Sequence, residues 1–262
     1  MFCPSSHPVY NEPDEQIMRI ALITDIHEDI IRLEKALAML QSEGYDQMIC
    51  LGDVTGFSPL YYAHRADAEA CVLLLRKYAH VILAGNHDLF TCRRLPSNHS
   101  ELGIPSDWYA LSPAQRKAVS AGRHWLYEDE AESELSPESF RFLQQMQDFH
   151  VVEDQFGRYL FSHFLKPDLY GIRRRFPASV FGLRHHFRFM KQQGCNLAFI
   201  GHAHPPGPAV SKWMWWSNPV TNSYVLKKNE KIVICPALVS GQNASAGIIF
   251  DTAKTEIRTI YF

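Results

Sequence analysis

Arg19-Ile-Ala-Leu-Ile-Thr-Asp-Ile-His27, with the turns Leu51-Gly-Asp53 and Ala84-Gly-Asn-His-Asp88 that follow it, decides how this chain is read. Arg19 to Thr24 is a short apolar run of strand length that breaks off into polar residues. Beyond it Ile30, Leu33, Leu37 and Leu40 recur at helical spacing on one face, and Gly44 closes that helix. Residues 47–51 predict a second strand, residues 63–78 a second helix beyond Pro59, and residues 81–84 a third strand. The order β-α-β-α-β predicts an α/β fold with parallel strands, in which functional residues collect at the carboxyl ends of the strands.

Outward from this core the pattern changes. Between residues 91 and 155 no strand is predicted; Ser112-Pro and Ser136-Pro read as helix starts, giving a mostly helical insert able to cover a site. Strands resume at 158–162 and 196–200 around a basic, helix-like segment, and the tail at 223–226, 231–234, 247–250 and 256–261 reads as β-hairpins. Residues 1–17, with their prolines and acids, read as an extension, leaving 18–262 as a single domain.

Composition narrows the function. With 262 residues, 46% of them apolar and 21% charged, the chain is globular and long enough to bury a core without a disulfide or structural metal. A metal-ligand pattern therefore points to chemistry. The formal charge, 26 − 28 = −2, gives no overall field for nucleic acid or an anionic membrane. Six cysteines lie far apart with no C-x-x-C, which predicts reduced thiols. No signal peptide is read in the first residues and no apolar run reaches membrane length, so the expected location is cytoplasmic.

Five strand ends carry a polar signature directly after the apolar run: Asp25-x-His27, Gly52-Asp53, Gly85-Asn-His-Asp88, His163 and Gly201-His-Ala-His204. Taken alone, Asp25-x-His27 reads equally as a cap with a surface histidine and His163 as a buried or turn histidine, whereas Gly85-Asn-His-Asp88 and Gly201-His-Ala-His204 are more specific. Together they bring Asp, Asn and His side chains to one edge of a sheet. Oxygen ligands mixed with imidazoles suit divalent or trivalent transition ions such as Mn, Fe, Zn, Co or Ni better than Ca or Mg. So many donors suit two ions sharing a carboxylate, about 3.5–4 Å apart as in two-metal hydrolases.

The ordered set resembles the calcineurin-like metallophosphoesterase superfamily, whose blocks run D-x-H, G-D-x-x, G-N-H-[DE], H and G-H-x-H. It is more similar to the small bacterial phosphodiesterase-like branch, through Gly52-Asp-Val-Thr-Gly-Phe-Ser-Pro59, Trp125-Leu-Tyr-Glu128, Leu135-Ser-Pro-Glu138 with Phe142-Leu143, and Ile234-Cys-Pro-Ala237. The resemblance implies a four-layer α/β/β/α sandwich of two mixed sheets flanked by helices. It also implies that Asp25, His27 and His204 hold one metal, that Asn86, His163 and His202 hold the other, and that Asp53 bridges. A hydroxide between the metals is the implied nucleophile. His87 is the implied proton donor to the leaving oxygen, with Asp88 orienting its ring.

Three departures stand out. Glu28-Asp29 replaces the Gly-Asn that many relatives carry, setting two acids beside the metals and working against an anionic substrate. Gly56 stands where the wider superfamily often has Asp, and Cys235-Pro-Ala-Leu238 replaces N-P-G-S, removing backbone freedom near the cleft.

The basic concentration Arg173, Arg174, Arg175, Arg184, His185, His186 and Arg188 reads as a solvated helix face, or else as a phosphate-binding rim led by Arg173 and Arg175. Trp213-Met-Trp-Trp216 reads as core or contact packing, or else as a wall on which Trp216 stacks against a base. His7, His64, His80, His99, His124 and His150 show no ligand spacing and read as structural or surface residues. The expected function is hydrolysis of a nucleotide or other small phosphodiester, with a phosphomonoesterase, a protein phosphatase or a metal-binding interaction scaffold as alternatives. With one basic segment, long nucleic acid is not an expected substrate.

Overall fold

A computed structural model describes residues 17–176, 180–211, 216–217, 222–239 and 245–262, apart from the side chains of 180 and 181. The first sheet contains β1 (Arg19–Ile23), β2 (Gln47–Cys50), β3 (Val81–Ile82), β9 (Ser223–Val225), β11 (Ala246–Asp251) and β12 (Glu256–Tyr261), in the order β3-β2-β1-β11-β12-β9. The second contains β4 (Phe149–Asp154), β5 (Gly157–Ser162), β6 (Leu197–Ile200), β7 (Ala209–Ser211), β8 (Trp216–Ser217) and β10 (Ile232–Ile234), in the order β4-β5-β6-β10-β7-β8. Both sheets are mixed: β1 runs parallel to β2 and antiparallel to β11, and β6 lies parallel to β5 and β10.

Alternation along the strands builds two cores. Ile20 and Leu22 of β1 join Ile49, Phe161, Phe199 and Phe250 between the sheets, while Ala21 and Ile23 face outward against Leu33, Ala36, Leu37 and Leu40. Phe199 stacks on Phe161 and meets Phe250 of the other sheet, with ring centroids 4.8 Å apart in the second pair, so aromatic packing joins the two layers.

The helices are α1 (Ile30–Glu43), α2 (Ala68–Tyr78), α3 (Asn86–Thr91), α4 (His99–Leu102), α5 (Pro113–Ser120), α6 (Pro137–Gln145) and α7 (Val180–Gln192). Asp29 caps α1 by accepting from the Arg32 N–H, and Gly44 ends it at φ 73°. Ser112 and Ser136 cap α5 and α6 ahead of their prolines, as the Ser-Pro signals predict.

The structure departs from the sequence reading in three places. α2 starts at Ala68, later than expected, because Asp67 caps it and the preceding residues form a loop over the site. β4 lies inside the stretch read as strandless and pairs antiparallel with β5. Among the described residues of the tail only β11 and β12 form a hairpin; β9 joins β12, whereas β10 inserts between β6 and β7 of the other sheet. Local alternation reveals strands but not the sheet that receives them. Residues 1–16, and Trp213 with its two neighbours, lie outside the described residues.

Candidate metal centre

The loops after β1, β2, β3, β5 and β6 meet at one edge and are bonded to one another. The Asp25 N–H donates to Gly52 O, the Ile26 N–H to Asp53 O and the Gly201 N–H to His163 O, while Leu238 and Val239 donate to Thr24 O and Asp25 O. Under this restraint Asp25, His27, Asp53, His202 and His204 all hold left-handed backbone, with φ between 46° and 65°. Such conformations cost about 1–3 kcal/mol each for a residue with a side chain, and they persist where surrounding contacts over-determine them, as at functional sites.

Donor atoms of Asp25, His27 and His204 lie within 4.8 Å of one another, and so do those of Asp53, His163 and His202. Asp53 also groups with His27 and His87 within the same limit, which places its carboxylate between the two sets. Its Oδ1 accepts from the His87 N–H at 3.0 Å, leaving Oδ2 to face His163 Nε2 at 3.1 Å. Asp25 is held in the same manner, one oxygen accepting from the His202 N–H and the other 3.0 Å from His204 Nε2.

Tautomers fix which ring nitrogens face the cluster. Nδ1 of His27 lies 2.9 Å from Gly56 O and Nδ1 of His163 lies 2.9 Å from Leu51 O; a carbonyl only accepts, so both Nδ1 atoms carry the hydrogen. In the neutral ring the lone pair is then on Nε2. For His27 it points at Nε2 of His204, 3.4 Å away. Asn86 Oδ1 is buried without a hydrogen-bond partner. Lone pairs converging in a buried space fit a cation, and Nδ1–H bonded to a carbonyl is the usual support of a metal-ligating histidine.

Protonation agrees. Burial works to raise both Asp25 and Asp53, but the neighbouring His204 and His163 outweigh it and hold both carboxyls well below the usual range. Burial, reinforced by cationic neighbours, pushes His27 and His202 down to about 3. His163 goes the other way, to about 9, because the charge of Asp53 outweighs burial. The ionised carboxylates and the neutral imidazoles of His27 and His202 are forms that bind metal, whereas His163 would have to release its proton to a cation.

His87 stands at the same edge, its Nε2 3.9 Å from Asp53 Oδ2. Its ring is not oriented by Asp88, and this corrects the sequence reading. The buried Asp88 carboxylate instead accepts the N–H groups of Asp53, Val54, Thr55 and Gly85 and the Thr55 hydroxyl. It ties the second loop to the third. Glu130, from the helical insert, takes the expected place: its carboxylate lies against Nδ1 of His87. Burial opposes a charge on His87, yet Asp53 and Glu130 push it up to about 9. Asp88→Ala would strand four buried backbone N–H groups, so we expect a loss of at least about 3 kcal/mol of stability, read as a lowered midpoint in urea.

The departures from the family pattern also have structural reasons. Glu28 is not turned to the donors; it accepts from the Gly56 N–H at 3.0 Å and from Ser133. Asp29 caps α1 and pairs with Arg32 and His64. The expectation of two acids opposing an anionic substrate is therefore withdrawn. Gly56 sits at φ 91°, and a Cβ there would come within 2.5 Å of the His87 ring, so aspartate has no room. Cys235-Pro-Ala-Leu238 is buried against β6 and the first loop, and Leu238 is bonded to Thr24.

Of the basic segment, Arg173 donates its backbone N–H to Asp168 and one guanidinium nitrogen to Glu101 O. Arg174 lies over the Trp125 ring, and Arg175 is exposed. His186 is buried, and its Nδ1 accepts from the Lys166 N–H. Trp216 lies 5.8 Å from Phe176, which lies 5.7 Å from Phe164, itself 4.5 Å from His202, measured between ring centroids. This row of rings leads outward from the donors. His64 is structural, as expected, but close to the site: its Nε2–H donates to His27 O. His80, His99, His124 and His150 bond to local groups, and His7 lies outside the described residues.

Sequence reasoning missed three neighbours of the donors. Tyr62 stacks on His27 at 4.9 Å, Tyr127 packs edge-on to His87 at 5.1 Å, and Glu130 completes that corner. Tyr127 lies in the family-like stretch Trp125-Leu-Tyr-Glu128, whereas the acidic run Glu128-Asp-Glu130 resembles a solvated stretch.

A two-sheet sandwich presenting Asp and His donors from its strand ends is a scaffold for metal-assisted hydrolysis. The sequence pattern of the calcineurin-like phosphoesterases matches residues 18–235, and the chain belongs to that family. Among solved structures, a metallophosphoesterase from Sphaerobacter thermophilus is similar at a TM-score of 0.63 and 19% identity, over 94% of this chain and 88% of that one. A putative diadenosine tetraphosphatase is similar at 0.52 and 12% identity, over 93% of each. At these identities the likeness is one of fold. An uncharacterized protein of Methanocaldococcus jannaschii is 33% identical over 69 residues, so this chain spans only 26% of that curated relative. No helix among the described residues is long and apolar enough to cross a membrane.

Proposed function

We propose that this chain is a phosphodiesterase acting on nucleotides or other small diesters, with Asp25, His27 and His204 holding one transition-metal ion, Asn86, His163 and His202 a second, and Asp53 shared between them. The observation that carries this reading is the Nε2 pair of His27 and His204, 3.4 Å apart with both Asp25 and Asp53 beside it. Mn, Fe, Zn, Co and Ni all suit such mixed nitrogen and oxygen donors. When bound, the ions supply Lewis acidity toward phosphoryl oxygens and activate water near neutral pH. The protein's own part is positional. His87 presents Nε2 to the cluster and delivers a proton to the leaving oxygen, while Glu130 holds Nδ1 from behind. Five buried free cysteines support a reducing, cytoplasmic setting.

The test compares initial rates on bis-p-nitrophenyl phosphate and p-nitrophenyl phosphate after stripping and reloading with manganese. Faster metal-dependent cleavage of the diester supports the proposal; a monoester preference replaces it with a phosphatase. No turnover of either, with metal bound, favours an interaction scaffold.

The rings of Phe164, Phe176 and Trp216 form the wall on which a base would lie. Trp216→Ala is then expected to raise KM for a dinucleotide substrate by about tenfold and to spare bis-p-nitrophenyl phosphate. An equal loss on both substrates assigns the ring to packing.

A further inference from the structure

Behind the corner formed by Tyr127 and Glu130 lies a cavity of about 650 Å³ that none of the proposed metal donors lines. A second cavity of about 300 Å³ shares Phe90, Arg116 and Tyr127 with it, so Arg116 stands between the two. We propose that this cavity is a binding site for a planar aromatic ring carrying an anionic group, the chemistry of a nucleoside monophosphate. It requires no hydrolytic activity at the metal centre.

Charge is the first ground. Arg93 and Arg116 both line the cavity, and neither pairs with a carboxylate among the described residues. Nε of Arg116 is buried without a hydrogen-bond partner. The terminal guanidinium nitrogens of two arginines without carboxylate partners offer the forked donor geometry that phosphate or carboxylate oxygens accept. The cavity's own acids do not fill this need: Glu130 is engaged with His87, and Glu132 is exposed.

Shape is the second. Tyr109 is fixed by its hydroxyl, which bonds to Leu89 O and Arg94 O, and Tyr127 packs against Phe90 with centroids 4.6 Å apart. Held rings facing a space of this volume suit a flat ligand, since small-molecule sites of about 300–1,000 Å³ combine aromatic walls with a few placed polar groups. Tyr127 and Glu130 each touch His87 on their other side, so a ligand here lies one side chain away from the proposed proton donor.

The experiment is calorimetric titration of AMP into the full chain, before and after chelation of metals. We expect binding that survives chelation, weakens at least tenfold in Arg116→Ala and less in Arg116→Lys, and keeps its affinity in Asp53→Asn. Adenosine alone and inorganic phosphate alone should each bind at least tenfold more weakly than AMP. If Arg116→Ala does not fold, Arg93→Ala carries the same expectation. Absence of AMP binding, unchanged affinity in the arginine variants, or loss on chelation or in Asp53→Asn would overturn the proposal, the last two placing AMP at the metal centre.

Discussion

Asp53→Asn is expected to lower kcat on bis-p-nitrophenyl phosphate by at least about a thousandfold, and the purified variant to carry less metal than the parent. The substitution keeps the side chain's shape and the Oδ1 that accepts from the His87 N–H. What it removes is the negative charge at Oδ2, the atom that faces His163 and lies between the two donor sets. An amide NH2 turned into that position would oppose a cation directly. Steady-state rates with elemental analysis of the same samples read both effects. Turnover near the parent's with both ions retained would falsify the bridging assignment.

Glu130→Gln is expected to separate substrates by their leaving groups. With an alkoxide leaving group, as in release of a nucleoside, protonation by His87 matters, and kcat should fall by about a hundredfold. With p-nitrophenolate, which departs without a proton, the fall should stay within about threefold. Glu130→Asp keeps the charge at a shorter reach and should recover part of the difference, and metal content should be unchanged in both variants. If both substrates slow equally, Glu130 supports the fold and not His87. The contrast with Asp88 is informative: adjacent in sequence to His87 but engaged with four backbone N–H groups, it is expected to affect stability first.

Much of this centre was legible because its donors follow strands immediately, where local pattern is strong. Asp25-x-His27, Asn86 and Gly201-His-Ala-His204 each sit at the end of an apolar run, and the α/β order brings those ends to one edge. Glu130 was not legible. It comes from an insert 43 residues beyond His87, and no periodicity records that this loop folds back over the ring. Glu28 and Asp29 misled for the opposite reason: adjacency in sequence to His27 put them beside the donors, whereas the left-handed turn sends them to Gly56, Ser133 and Arg32. Likewise residues 231–234 read as a strand, but the strand's place between β6 and β7 is set by pairing with segments distant from it in sequence.

The donor sets draw on both sheets. Asp25 and His27 follow β1, and Asn86 follows β3, all in the first sheet; His163 follows β5, and His202 and His204 follow β6, in the second. Each proposed ion is therefore a clasp across the seam of the sandwich. Ions that bind only the folded chain stabilise it by mass action, about 2.7 kcal/mol at a hundred times Kd. With ions held as proposed, the durability of this chain in a cell would be tied to metal supply: scarcity would loosen the join between its halves as well as slow its chemistry.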